Sequence, residues 1–276
     1  MSATVAFEVP TAQGPRPVTV SYTRRGRGEP LLLLHGIGHH RQAWDPVVDI
    51  LATERDVIAV DLPGFGVSPA LPDGLAYDLP TTTSVFGAFC EAMELDRPHV
   101  AGNSLGGLLA LELGREKLVR SVTALSPAGF WSQAERRYAF GVLVTMRRIA
   151  ERMPLPMVER MARTPVGRAA LTSTIYARPT RRSPEAVVAE TVALARATGF
   201  AETLRVGSTV QFTDDVPGLP VTLAWGTKDR LLIRRQGVRA KQIIPRARLV
   251  RLPGCGHCPM NDDPALVARV ILDGSR

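Results

Sequence analysis

Three apolar runs constrain this chain most: PLLLLHG (30–36), DVIAVDLPG (56–64) and PHVAGNS (98–104). None alternates apolar with polar, so each reads as a strand buried on both faces. Glycine, or proline with glycine, or a small polar residue closes each one. Helix-length segments separate them: an amphipathic stretch from Arg41 to Ala52, a helix over 78–95, and LGGLLALELGRE directly after the third run. LVRSVTALSPAG repeats the pattern, and ATVAFEV and PVTVSYT read as opening strands. Strands separated by helices predict an α/β fold, with a doubly wound, mostly parallel sheet and right-handed crossovers.

The rhythm stops near Gly129. From there to about Arg205 the periodicity is helical, and Pro154, Pro156, Pro165, Pro179 and Pro184 cut it into short helices. Strand and helix then return with LPVTLAWGTKD (219–229), a helix over 233–243, ARLVRLPG (247–254) and a last helix over 262–273. The expected organisation is therefore a core in two parts, 1–128 and 211–276, interrupted by a helical insertion at 129–210. A chain of 276 residues can bury such a core without staples.

Cysteine count and leader sequence bear on location. Three cysteines, Cys90, Cys255 and Cys258, make no disulfide framework and suit a reducing cytoplasm. The opening MSATVAFEVP lacks the basic and apolar regions of a secretory signal. No apolar run nears the length of a membrane span, so no stable membrane insertion is expected. The net charge of +8 is concentrated: residues 131–205 hold 13 Arg, no Lys and 6 Glu. Without a nucleic-acid motif or interleaved aromatics, this reads as solvated helix faces rather than a nucleic-acid surface. FGVLVTMRRIAERM leaves a lid that touches lipid as a lesser alternative. No motif specifies an oligomeric state.

The chemistry gathers at strand ends. AGNSLGG contains Gly102-x-Ser104-x-Gly106 between an expected strand and an expected helix, the context that a nucleophile elbow requires. Small residues on either side allow a sharp turn that exposes the hydroxyl. A serine nucleophile needs a base and an acid to orient it. Asp229 follows one late strand and His257 follows the next, which gives the order Ser104, Asp229, His257. Asp214, Asp215, Asp262 and Asp263 follow no strand directly and are poorer candidates for the acid.

Several segments resemble the α/β-hydrolase fold family. LLLLHGIG is similar to its oxyanion loop, DLPGFGVS to the turn after the next strand, and GNSLGG to the elbow. WGTKD is similar to the acid turn, and PGCGHCPMNDDP to the histidine loop. The resemblance implies a serine hydrolase of a carboxylic ester or related acyl compound, with oxyanion donors at the Ile37 and Leu105 N–H groups. Gly36, Asn103, Phe130, Trp131 and Cys258 are the expected pocket residues, with Tyr138, Phe140 and Met146 on the inner face of a cap formed by the insertion. A small acyl substrate, no metal and no cofactor are expected. Relatives with Asp at the elbow, dehalogenases and epoxide hydrolases, are set aside by Ser104. Two alternatives stand: hydrolytic C–C cleavage of diketone-like substrates, since GNSLGG resembles that elbow too, and a catalytically silent ligand-binding member. Those C–C enzymes usually carry Trp after the histidine, where this chain has Cys258.

Cys255-Gly256-His257-Cys258 also has the spacing of a dithiol site or of half a zinc site. The histidine-loop resemblance makes both cysteines packing or pocket-wall residues. His39 and His40, the nearest further zinc ligands, read as solvent-facing loop residues. His35 reads as structural and His99 as a strand-edge residue.

Overall fold

A computed structural model describes residues 2–276. In chain order the elements are β1 (Ser2–Val9), β2 (Arg16–Gly26), β3 (Pro30–Leu34), α1 (Asp45–Leu51), β4 (Asp56–Val60), α2 (Leu79–Ala92), β5 (His99–Asn103), α3 (Leu105–Arg115) and β6 (Ser121–Leu125). Five helices follow: α4 (Gln133–Arg152), α5 (Leu155–Ala162), α6 (Pro165–Thr172), α7 (Pro184–Arg196) and α8 (Phe200–Gly207). The chain then returns to the sheet with β7 (Val221–Gly226), α9 (Arg235–Ile243), β8 (Arg248–Leu252), α10 (Pro259–Asp262) and α11 (Pro264–Gly274).

The eight strands form one sheet, ordered β1-β2-β4-β3-β5-β6-β7-β8. β1 pairs with β2, and β2 with β4, in antiparallel register; every later pairing is parallel. Alternate residues of the central strands feed opposite layers. Leu31 and Leu33 of β3 pack with α1 and α11, while Leu32 and Leu34 pack with α2 and α3. Both layers are filled, which is why PLLLL has no polar alternation. Burying each leucine stabilises the fold by roughly 2–3 kcal/mol. Truncation of Leu32 to alanine would cost about 2–5 kcal/mol, because a cavity is left as well.

All five helices from α4 to α8 lie between β6 and β7, within residues 129–210. Two contacts close the neck of this insertion: Phe212 N donates to Gly129 O at 3.0 Å, and Trp131 Nε1 to Val210 O at 3.2 Å. α4 starts in a capping box between Ser132 and Glu135. The buried Glu135 carboxylate also takes Arg235 and Arg239 of α9, which fixes the helix to the core.

The last helix begins two residues later than expected. Pro264 is its first residue, and the Asp263 side chain caps it by accepting from Leu266 N at 3.1 Å. No helix among the described residues is long and apolar enough to cross a membrane.

Candidate active site

Because β3 and β5 to β8 run parallel, the loops after their C-terminal ends collect along one edge of the sheet, where such sheets place their sites. Ser104 follows β5, Asp229 lies just beyond β7, and His257 lies just beyond β8.

Ser104 has φ 57° and ψ −115°, outside the wells that L-residues favour. Such a conformation costs on the order of 1–3 kcal/mol and persists only when its surroundings enforce it. Here they do. Ser104 N donates to Leu125 O, and Ser104 O accepts from Ala128 N, each at 3.0 Å. The turn is tight enough that a Cβ on Gly102 would overlap the Gly106 carbonyl, and one on Gly106 would overlap the Leu34 carbonyl. This explains why glycine stands at both positions.

His257 is buried, and its Nδ1 lies 2.9 Å from Asp229 Oδ2. The other carboxylate oxygen, Oδ1, accepts from Leu231 N at 2.9 Å and Leu232 N at 2.8 Å. Two backbone donors therefore fix the Asp229 rotamer and turn Oδ2 toward the imidazole. An acceptor at Nδ1 places the imidazole proton there and leaves Nε2 with a lone pair.

A cavity of about 670 Å³ joins these groups, with Ser104 and His257 both in its wall. Gly36, Ile37, Asn103 and Cys258 line it too. The Gly36 backbone lies against the serine, since a Cβ there would stand 3.2 Å from Ser104 Cβ. The Ile37 and Leu105 N–H groups have no protein acceptor among the described residues. His35 is fully buried; its Nδ1 donates to Gly36 O at 2.7 Å and its Nε2 accepts from Leu62 N at 3.0 Å, so it braces this loop.

Asn103 ties the elbow to the histidine loop. Its Nδ2 donates to His257 O at 2.9 Å and to Leu125 O at 3.0 Å, and its Oδ1 accepts from Cys258 Sγ at 3.3 Å. Asp262 holds the same loop from behind, accepting from Gly256 N, Ala177 N and Arg178 N at 2.7–2.9 Å. All three cysteines are free and buried. Burial pushes the Cys255 and Cys90 thiols up to about 12 and the Cys258 thiol well above its ordinary value.

One pocket expectation needs correction, and another falls in a side pocket. Phe130 does not line the cavity; it packs against Phe212 in the neck, with centroids 5.4 Å apart. Trp131 instead borders a side pocket of about 50 Å³ that Ser104 and Leu105 also line, with Phe140 edge-on to it. Tyr138 and Met146 line the main cavity, as do Met153 and Leu194.

The histidines after Ile37 are also not where a solvent-facing loop would put them. His39 and His40 are buried and stacked, and His39 lines the cavity. Nor do all the insertion's arginines face water. Arg182 is buried against Glu190, and Arg147 sits 5.5 Å above the Phe200 ring, whereas Arg137 is exposed at the cavity wall. The sequence signal for Glu190 was its position: it shares the buried stripe of α7 with Val187, three residues away. Among the described residues, no three His, Cys, Asp or Glu side chains converge as metal ligands.

The sequence pattern of the Alpha/beta hydrolase family matches residues 31–270. A protein of Mycobacterium tuberculosis described as uncharacterized is 28% identical over 260 residues, which span 89% of this chain and 75% of that one. A pimeloyl-(acyl-carrier protein) methyl ester esterase of Aeromonas hydrophila is 37% identical over 121 residues, 43% of this chain and 46% of the esterase. A thermophilic esterase from Thermogutta terrifontis superposes with a TM-score of 0.76 at 21% identity, covering 98% of this chain and 97% of that one.

Proposed function

This chain belongs to the Alpha/beta hydrolase family, and from that premise we propose that it is a serine hydrolase of carboxylic esters or related acyl compounds, acting through an acyl-enzyme on Ser104. One observation carries the reading. A serine held in a strained turn shares a cavity with a histidine whose Nδ1 is tied to a buried aspartate. Structural serines have no need of that strain.

In this mechanism His257 Nε2 takes the Ser104 Oγ proton as Oγ attacks the acyl carbon. Asp229 holds the tautomer and stabilises the imidazolium. The Ile37 and Leu105 N–H groups receive the oxyanion, and each is worth roughly 3 kcal/mol in the transition state. The tetrahedral intermediate collapses, and the leaving group departs with the proton from His257. Water, deprotonated by His257, then attacks the acyl carbon; the second tetrahedral intermediate expels Ser104 Oγ, which regains its proton from His257, and the acid leaves.

The insertion serves as a cap: α4 supplies Val142, Met146 and Ile149 to the cavity, an apolar wall that accepts an acyl chain and excludes water. The three free cysteines suit a cytoplasmic setting. The test is hydrolysis of an ester panel of graded acyl length by the purified chain. Ser104→Ala should abolish it for every substrate that the native chain turns over; near-native rates in that variant would refute the assignment.

A further inference from the structure

One stretch of the cavity wall is polar, and acyl transfer leaves it unused. His40 N donates to His39 Nδ1 at 3.1 Å, so the His39 proton sits on Nε2, which faces Tyr176 Oη at 3.2 Å. Tyr176 Oη donates in turn to Glu190 Oε1 at 2.9 Å. Arg182 Nε donates to the same oxygen at 2.5 Å, and Arg182 Nη2 to Gln42 O at 3.0 Å. Burial keeps His39 neutral, its pKa falling well below the ordinary value, so His39 and Glu190 form no ion pair despite lying 3.9 Å apart. Burial also keeps Tyr176 a phenol.

Both donors that reach Glu190, Tyr176 Oη and Arg182 Nε, use Oε1. The second oxygen, Glu190 Oε2, is buried and has no hydrogen-bond partner among the described residues. An unpaired buried acceptor is costly and calls for an explanation. The hydroxyls of Thr172 and Thr191, in the same cavity wall, already donate to the helix carbonyls of Arg168 and Val187, each at 2.8 Å. Glu190 and His39 both form part of the wall of the 670 Å³ cavity.

We propose that Glu190 Oε2 receives a hydrogen-bond donor carried by the substrate, a hydroxyl or an amide N–H remote from the scissile carbonyl. The cluster is then a specificity subsite for acyl compounds that are not plain alkyl chains. Its charge selects the class. Arg182 already balances the carboxylate, so a cation gains little, while lone pairs on Oε2 repel anions and carbonyl oxygens. The inference takes the acyl nature of the substrate from the function proposed above.

The test reads binding without turnover. Medium-chain methyl ethers, which cannot be hydrolysed, carry either a hydroxyl or a keto oxygen at the same carbon, scanned along the chain. Calorimetry at pH 8 compares each pair on the full chain. At the matching carbon the hydroxyl ether should bind about tenfold more tightly than the keto ether, the size of one hydrogen bond to a charged acceptor. In Glu190→Gln, Arg182 and Tyr176 still require an acceptor at Oε1, so the amide NH2 must occupy the Oε2 position. The preference should then invert toward the keto ether. Equal binding of both series at every position in the native chain would overturn the proposal, whether or not the variant folds. An unchanged preference in Glu190→Gln would overturn it as well. Neither result depends on Ser104 being the nucleophile, so failure of the hydrolase reading would show separately.

Discussion

Asn103 and His257 are joined across 154 residues of sequence: the Asn103 amide donates to the His257 carbonyl at 2.9 Å, one residue before the elbow serine. The same side chain uses its remaining capacity on Leu125 O and Cys258 Sγ. On the proposed mechanism Asn103 positions the base relative to Ser104. In Asn103→Ala the His257 carbonyl loses its amide donor and the Cys258 thiol its acceptor, while Leu125 O keeps Ser104 N, at about 1–3 kcal/mol for each group left unpaired. We expect kcat to fall roughly 10- to 100-fold with little change in KM. A variant with unchanged kcat, checked for folding by thermal unfolding, would remove that role.

Asp229→Asn tests the acid more finely than alanine does. Leu231 N and Leu232 N demand an acceptor at Oδ1, so the new NH2 must face His257 Nδ1. That forces the imidazole proton onto Nε2 and disables the base. The expected loss in kcat is about 10³- to 10⁴-fold, with a folded protein. A loss under tenfold would show that the tautomer does not matter.

The cysteines should be chemically silent. With thiols at about 12, only on the order of one Cys255 or Cys90 in ten thousand is ionised at pH 8. Iodoacetamide should leave all three unmodified in the native chain and alkylate them once it is unfolded, as read by mass spectrometry. Cys255→Ser with Cys258→Ser should keep most activity, since a serine at 258 still donates to Asn103 Oδ1. Rapid native alkylation of either residue, or inactivation by oxidation that a reductant reverses, would reinstate the redox reading.

Acid should weaken the fold through His40, in the loop after β3. Burial lowers His40 to about 4, against an ordinary value near 6.5, because a second proton would be held out of water. Between those values the unfolded chain binds a proton that the folded chain refuses, so this contribution to stability rises with pH across about 4–6.5 and is lost on acidification. It amounts to on the order of 3 kcal/mol for His40 alone. The urea midpoint of the native chain should drop further between pH 7 and 5 than that of His40→Gln. Parallel slopes in the two proteins would contradict this.

What the sequence makes legible is what local patterning encodes. Leu31–Leu34 and Val57–Val60 announce strands buried on both faces, and Gly102 and Gly106 announce a turn that no side chain fits. The same strand ends locate Ser104, Asp229 and His257. Contacts between distant segments are not encoded this way. His39 reads as solvent-facing because its partner, Tyr176, stands 137 positions later. Arg182 reads as one more solvated arginine until Glu190 is folded onto it. Phe130 reads as a pocket residue because nothing local shows that Phe212 covers it.

The central claim is that Ser104 is an activated nucleophile, and covalent labelling tests it most directly. An alkyl fluorophosphonate is incubated with the native chain, and the adduct is mapped by peptide mass spectrometry. The account predicts one adduct per chain, on Ser104, with labelling slowed by about a thousandfold or more in His257→Ala. No adduct on Ser104, or labelling that proceeds equally well without His257, would contradict it.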